Sequence, residues 1–203
     1  ILTAIDSILF SMSGNFNKLG ANSFSVRPLS ETLKSNDNGR NRKEAEPIVF
    51  DQAMSFKENY QYGASRVSIE SFCSGDATIK HGDKKTNPTV RVVGIDENYM
   101  NTSAYEIIAG RNFTNNEIMA TANKVIIGSE IVQSLFQDKP EKAIGKDLYI
   151  NSDKYMIVGA LKSKGSNSGG SNDRRVFIPL YNSKVQYGYA DKSYNVTVAV
   201  AQP

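Results

Sequence analysis

The sequence predicts an α+β fold, β-rich over most of its length, with an amphipathic helix at the N-terminus. Three observations predict it. Short runs rich in Val, Ile, Tyr and Phe recur between Val90 and Pro179: VRVVGIDENY, YEIIAGRNFT, KVIIGSEIVQSLF, AIGKDLYI, KYMIVGALKSKG and DRRVFIPL. Strong helical periodicity is confined to a few stretches, the longest at the N-terminus. Near residue 98 the texture changes: strands shorten and Gly110, Gly128, Gly145, Gly159 and Gly165 fall at regular turn positions.

Bulk composition bounds the function classes. The 203 residues suffice for one sizeable domain or two small subdomains with cores of their own. Hydrophobic residues are 39% of the chain, too many for a disordered one. The net charge is +3, and the basic residues are dispersed, with Lys84-Lys85 and Arg174-Arg175 only as pairs. Nucleic-acid binding usually requires a concentrated basic stripe, so no nucleic-acid partner is expected. Cys73 is the only cysteine, which excludes an internal disulfide. No run approaches the roughly 20 apolar residues of a membrane span. The chain opens on Ile1 with neither Met nor a basic segment, which reads as a cut inside a longer protein.

Taken in order, Ile1, Leu2, Ile5, Ile8, Leu9, Met12 and Phe16 share one helical face, and Gly20 suits the C-terminal cap. Two readings fit this helix: a core helix packed on a sheet, or a stalk continuing a membrane helix. Asn22 to Arg27 alternates as a strand that Pro28 ends. Residues 34–47 are polar and predict an exposed loop. Asp51 is the expected N-cap of a helix through Tyr60, stopped by Gly63. Arg66 to Cys73 predicts an irregular strand. Ala77 to Lys80 and Thr89 to Ile95 predict a hairpin bent at Gly82-Asp83. Further on, Ser129 is the expected cap of a helix bearing Ile131, Val132, Leu135 and Phe136. Leu148 to Ile150 and Tyr155 to Leu161 flank NSDK as a hairpin. Residues 163–172 predict a flexible Gly/Ser/Asn loop. Val176 to Ile178 is a strand stopped by Pro179, and Tyr194 to Val200 is the last strand.

The inventory for chemistry is thin, and no catalytic, cofactor-binding or metal-binding residue is assigned. His81 is the only histidine and falls in the predicted hairpin turn; with Cys73 it makes two candidate zinc ligands in all, short of a structural site. No G-x-S-x-G elbow accompanies His81. Cys73 reads as a small core residue. The adjacent Asp96-Glu97 reads as a helix-start signal rather than an acid/base pair. Ile144-Gly145-Lys146-Asp147 imitates the end of a phosphate loop, but Asp147 stands where Ser or Thr must hold magnesium, and Pro140 replaces the first glycine. Residues 165–170 lack the spacing of a dinucleotide loop. The N-x-[ST] sequons at Asn101, Asn112 and Asn195 matter only in a eukaryotic secretory protein. The chain is expected neither to bind nor to hydrolyse nucleotide.

Six motifs in order carry a resemblance: V-x-G-I-D-x-x-Y (Val92 to Tyr99), A-G-R-x-F (Ala109 to Phe113), V-I-I-G-S-E-I-V-x-x-L-F (Val125 to Phe136), I-G-K-x-L-x-I (Ile144 to Ile150), Y-x-I-V-G-A-L (Tyr155 to Leu161) and V-F-I-P-L (Val176 to Leu180). As a set they resemble the extracytoplasmic core domain of MacB-like and FtsX-like ABC transporter permeases. Leu19 to Val26 matches the point where that family's stalk meets its first strand. The resemblance implies a stalk helix over 1–20, a porter-like subdomain over 21–100 and 174–203, and an inserted β-rich subdomain over 101–173. It implies no enzymatic activity and no cofactor. It implies a periplasmic domain on a bacterial inner membrane that couples cytoplasmic ATP hydrolysis to movement, for export of a drug, peptide or lipid-linked substrate or for mechanical signalling. The partners implied are a cytoplasmic ATPase subunit or domain, a membrane-fusion or other periplasmic protein, and a second copy in a homodimer. One departure is that no further helix and strand pair follows YNVTVAV. The alternative reading is a stand-alone extracellular binding or adhesion module.

Overall fold

The computed structural model describes residues 23–26, 46–167 and 170–200. The helix expected over 1–20 and most of the polar loop expected over 34–47 lie outside these residues. The described strands are β1 (Ser23–Val26), β2 (Arg66–Ala77), β3 (Ile79–His81), β4 (Lys84–Lys85), β5 (Val90–Ile95), β6 (Ile107–Gly110), β7 (Lys124–Ile127), β8 (Asp147–Ile150), β9 (Asp153–Leu161), β10 (Ser166–Asn167), β11 (Gly170–Ser171), β12 (Arg175–Pro179) and β13 (Asn195–Ala199). The helices are α1 (Phe50–Asn59), α2 (Tyr99–Thr102), α3 (Asn115–Met119), α4 (Ser129–Phe136), α5 (Pro140–Ala143) and α6 (Leu180–Tyr187).

Eleven strands join in one mixed sheet, in the order β1-β13-β2-β5-β12-β7-β9-β8-β3-β4, with β6 also on β9. β12 is central. It runs parallel to β5 on one side and antiparallel to β7 on the other, so strands from 124–127 and from 90–95 are joined through it. Its residues Val176, Phe177 and Ile178 are all fully buried, as expected where helices and loops cover both faces.

Register assigns the faces. Ile69 opposes Val196 and Val67 opposes Val198, whereas Glu70 opposes Ile95 and Phe72 opposes Val93. Directly opposed residues share a face, so Val67 and Ile69 lie opposite Val93 and Ile95. α1 packs on β2, and α6 packs on β2, β5 and β12. The first core cluster wraps both faces and is aromatic: Phe50, Tyr99, Phe113, Phe177 and Tyr194 are buried there with Ile69, Ile95, Val196 and Val198. The second gathers Val90, Val92, Val125, Ile127, Ile157, Val176 and Ile178 under α4, and it is mostly aliphatic. Gly94 makes the close packing of α6 possible: a Cβ there would overlap the Oγ and Cβ of Ser183.

Several expectations hold. SFSV forms β1, NSDK joins β8 to β9 antiparallel, and YNVTVAV contains β13. Others need correction. Gly82-Asp83 does turn a hairpin, but its second strand is β4 rather than Thr89 to Ile95. β5 pairs with β2 and β12, because a strand apolar on both faces belongs in the middle of a sheet and not in an edge hairpin. The N-cap of α1 is Val49, not Asp51; the Gln52 side chain accepts the Val49 N–H at 3.1 Å, and Asp51 sits in the first turn where the helix dipole favours it. Likewise Gly128 is the N-cap of α4 and Ser129 its first residue. The expected loop over 163–172 carries the short β10–β11 ladder, and its base is tied down: Asp173 accepts hydrogen bonds from Ser163 Oγ and the N–H groups of Lys164 and Gly165. Finally, Pro179 does not merely end a strand. It is the N-cap of α6, a helix the sequence reading did not anticipate.

Candidate functional site

The residues singled out for chemistry are dispersed and structurally employed. His81 closes β3; its Nδ1 lies 2.7 Å from the Asp147 carbonyl oxygen, and its ring sits 4.6 Å from that of Phe136. Cys73 is half-buried on β2, with Lys192 Nζ 3.9 Å from its Sγ, and burial pushes its thiol up rather than toward the thiolate. Among the described residues no group of three or more His, Cys, Asp or Glu could hold a metal ion.

Asp96 and Glu97 do mark a helix start. Asp96 Oδ1 accepts the N–H groups of Asn98 and Tyr99 at the start of α2, whose N-cap is Asn98. Its Oδ2 accepts the Ile69 N–H at 2.9 Å and Lys57 Nζ at 2.6 Å, and Glu97 takes the same ammonium at 2.6 Å. Asp96 therefore ties α1, β2 and α2 together at the end of β5. Its side chain is only 2% exposed, and burial pushes its pKa up to about 6 against the opposing pull of Lys57. The Lys57–Asp96 partnership left no sequence signal, because the two residues are 39 positions apart.

The phosphate-loop imitation is a turn leading into β8. Gly145 has φ +75°, a conformation that suits glycine, and Asp147 opens the strand and pairs with Lys154 at 2.9 Å. The helix next to it in sequence, α5, precedes the loop, and a strand rather than a helix N-terminus follows it. Of the sequon side chains, Asn112 donates to the Glu97 carbonyl and Asn195 to Glu70.

Two shallow clefts open on the surface. One of about 370 Å³ lies between Phe50, Lys184, Tyr189, Lys192 and Tyr194, and one of about 220 Å³ between Thr89, Glu130, Ser134 and Arg174. Tyr62, Phe72, Met119, Val185 and Tyr189 are large apolar side chains at least half exposed. These features suit contact with other molecules better than enclosure of a reacting substrate. No described helix is long and apolar enough to cross a membrane.

Comparison with known proteins then decides the family. The sequence profile of the MacB-like periplasmic core domain matches residues 1–203. The chain belongs to this family. The macrolide export ATP-binding/permease protein MacB of Chlorobium phaeobacteroides is 32% identical over 132 residues, covering 64% of this chain and 19% of that protein. An ABC transporter permease of Bacillus subtilis, YknZ, is 31% identical over 121 residues, covering 60% of this chain and 29% of that protein. The chain thus spans less than a third of the length of either relative. Among solved structures, the periplasmic region of MacB from Actinobacillus actinomycetemcomitans superposes with a TM-score of 0.69 at 15% identity, covering 93% of this chain and 78% of that one. The extracellular domain of YknZ superposes with a TM-score of 0.60 at 20% identity, covering 89% and 84%. At these identities the superpositions establish the fold: one large mixed sheet with several short helices, as in the MacB periplasmic region.

Proposed function

We propose that this chain is a non-catalytic extracytoplasmic domain of an ABC transporter permease, on the periplasmic face of a bacterial inner membrane. The single observation that carries the reading is the family match across residues 1–203. ATP is hydrolysed elsewhere, in a cytoplasmic ATPase subunit or domain, and this domain moves in response. A rigid mixed sheet suits that role, since a tightly packed body transmits displacement without dissipating it in internal rearrangement. The work performed is export of a drug, peptide or lipid-linked substrate, or mechanical signalling. Residues 101–173 form the inserted part that faces a membrane-fusion or other periplasmic protein, residues 21–100 and 174–203 form the porter-like part, residues 1–20 form the stalk, and the complete transporter is a homodimer.

The test uses the parent transporter in proteoliposomes. Charge substitutions at exposed positions of residues 101–173, Met119→Asp with Glu141→Lys, are expected to reduce partner-stimulated export while leaving basal ATP hydrolysis measurable. Unchanged export would overturn the coupling role. A parent gene encoding a secreted protein without apolar spans of about 20 residues on either side of this region would favour the stand-alone binding module instead.

A further inference from the structure

The face of the sheet that carries Val93 and Ile95 also presents Arg91 and Arg175. The two arginines are direct neighbours across the parallel β5–β12 pair. Like charges placed directly opposite are destabilising unless something else compensates them. Arg91 is exposed, and its guanidinium lies 5.2 Å over the ring of Phe72, itself 53% exposed. No ion pair to Arg91 is formed among the described residues. Arg175 donates from Nη2 to Asn172 at 2.8 Å, while its buried Nε–H has no hydrogen-bond partner among the described residues, which carries a desolvation cost.

Tyr105 packs edge-on against Phe177 at 5.2 Å, two residues along β12 from Arg175, and after burial the charges of Arg175, Glu70, Asp173 and Arg91 bear on its hydroxyl. Lys164 Nζ lies 4.2 Å from the Tyr105 ring centroid, and burial and then the neighbouring Arg175 hold that lysine below its usual range. Both carboxylates already accept protein donors, Glu70 from Asn195 and Asp173 from Ser163 and Lys164. Among the described residues, these three cations against two carboxylates leave a local excess of one positive charge. That balance suits a monoanion better than a dianionic phosphate, and the exposed Phe72 ring offers its apolar body a platform.

We propose that Arg91 and Arg175, flanked by Phe72 and Tyr105, form a binding site for an organic monocarboxylate with an apolar body. The carboxylate takes the exposed Arg91 guanidinium beside the partly exposed Arg175 side chain, and the apolar part lies on Phe72.

Titration of the 203-residue chain with benzoate at constant ionic strength, followed by two-dimensional NMR, tests this. The expected result is saturable shifts of the Arg91 Nε–Hε signal and of the β5 and β12 amides. Arg91→Met is expected to weaken binding on the order of tenfold, the scale of one charge-assisted contact. Phe72→Ser is expected to weaken benzoate but not acetate. Arg174→Gln, whose native side chain pairs with Glu130 at 2.7 Å, is expected to change nothing. Both Arg91 and Phe72 are exposed, so a preserved amide spectrum confirms that those variants fold. Non-saturating shifts, equal shifts in Arg91→Met, or tighter binding of inorganic phosphate than of benzoate would each overturn the proposal.

Discussion

The two core clusters solve the same packing problem with different chemistry. The second, under α4, is built mostly of Val, Ile, Leu and Ala, with Phe136 at its edge and Tyr155 contributing one internal polar contact, to Asn182 at 3.0 Å. The first is built around rings. Phe50 meets Tyr181 and Tyr194 edge-on at 5.0 and 5.3 Å, and Phe177 meets Tyr105 edge-on at 5.2 Å. It also borders the Lys57–Asp96–Glu97 cluster and the Arg111–Glu117 pair beside Ile118. Aliphatic packing depends on volume alone, so the second cluster should answer to cavities and be nearly indifferent to pH. The first should answer to both.

The sharpest way to break the comparison is by cavity. Phe177→Ala in the first cluster should cost about 3–5 kcal/mol and Ile127→Ala in the second about 2–4 kcal/mol, read by urea unfolding. A larger loss at Ile127 would mean that the aliphatic cluster holds the fold. The next test removes the charge partner. Lys57→Met leaves Asp96 buried without its ammonium and should cost about 2–3 kcal/mol at pH 8. Asp96 in the folded chain titrates at about 6, above its ordinary 3.8. Its stabilising contribution is therefore full below pH 3.8 and is lost as pH rises through 6. The Lys57→Met penalty should accordingly shrink toward zero on acidification to about pH 5, because a protonated Asp96 has little need of a cation. A penalty independent of pH would show that Lys57 acts through packing.

Glu117 should show the opposite sign. Its hydrogen bonds with Arg111 and with the Thr114 cap hold it down at about 2, below its ordinary 4.5. Its contribution is present above pH 4.5 and is lost as pH falls through 2. Because Arg111 is half exposed, Glu117→Gln should cost only about 1 kcal/mol at pH 7, mostly through the capping box. The smallest effect is a gain. Thr121, a β-branched residue at φ +52°, lies where α3 leads toward β7, and its carbonyl oxygen accepts the Asn182 amide at 3.0 Å from α6. Thr121→Gly keeps that carbonyl and relieves the backbone, and should stabilise by about 0.5–1 kcal/mol in thermal unfolding.

How much of this was legible in sequence depends on whether the signal is local. The NSDK hairpin, the strand VFIPL and the helix SEIVQSLF are local patterns, and each element stands where its pattern lies. The T-x-x-E of Thr114 and Glu117 was an available signal for α3 that the reading passed over. α6 offered little: its apolar residues do not form a clean stripe, and it is held by Ser183 against Gly94 and by Asn182 under Tyr155 rather than by its own amphipathicity. The scarcity of nucleophiles and metal ligands was legible from counts alone, since one histidine and one cysteine bound any site built from them.

By itself, the sequence determined which segments are apolar enough to be strands, where most turns fall, and, through six ordered motifs, which family the chain belongs to. Tertiary structure alone decided that β5 joins β2 and β12 instead of its sequence neighbour, that Lys57 meets Asp96, and that Arg91 aligns with Arg175. The physical reason is the same in each case. A period of two or 3.6 residues reports only which side of an element is buried, whereas pairing partners are chosen by long-range burial of both faces, and that choice has no local signature.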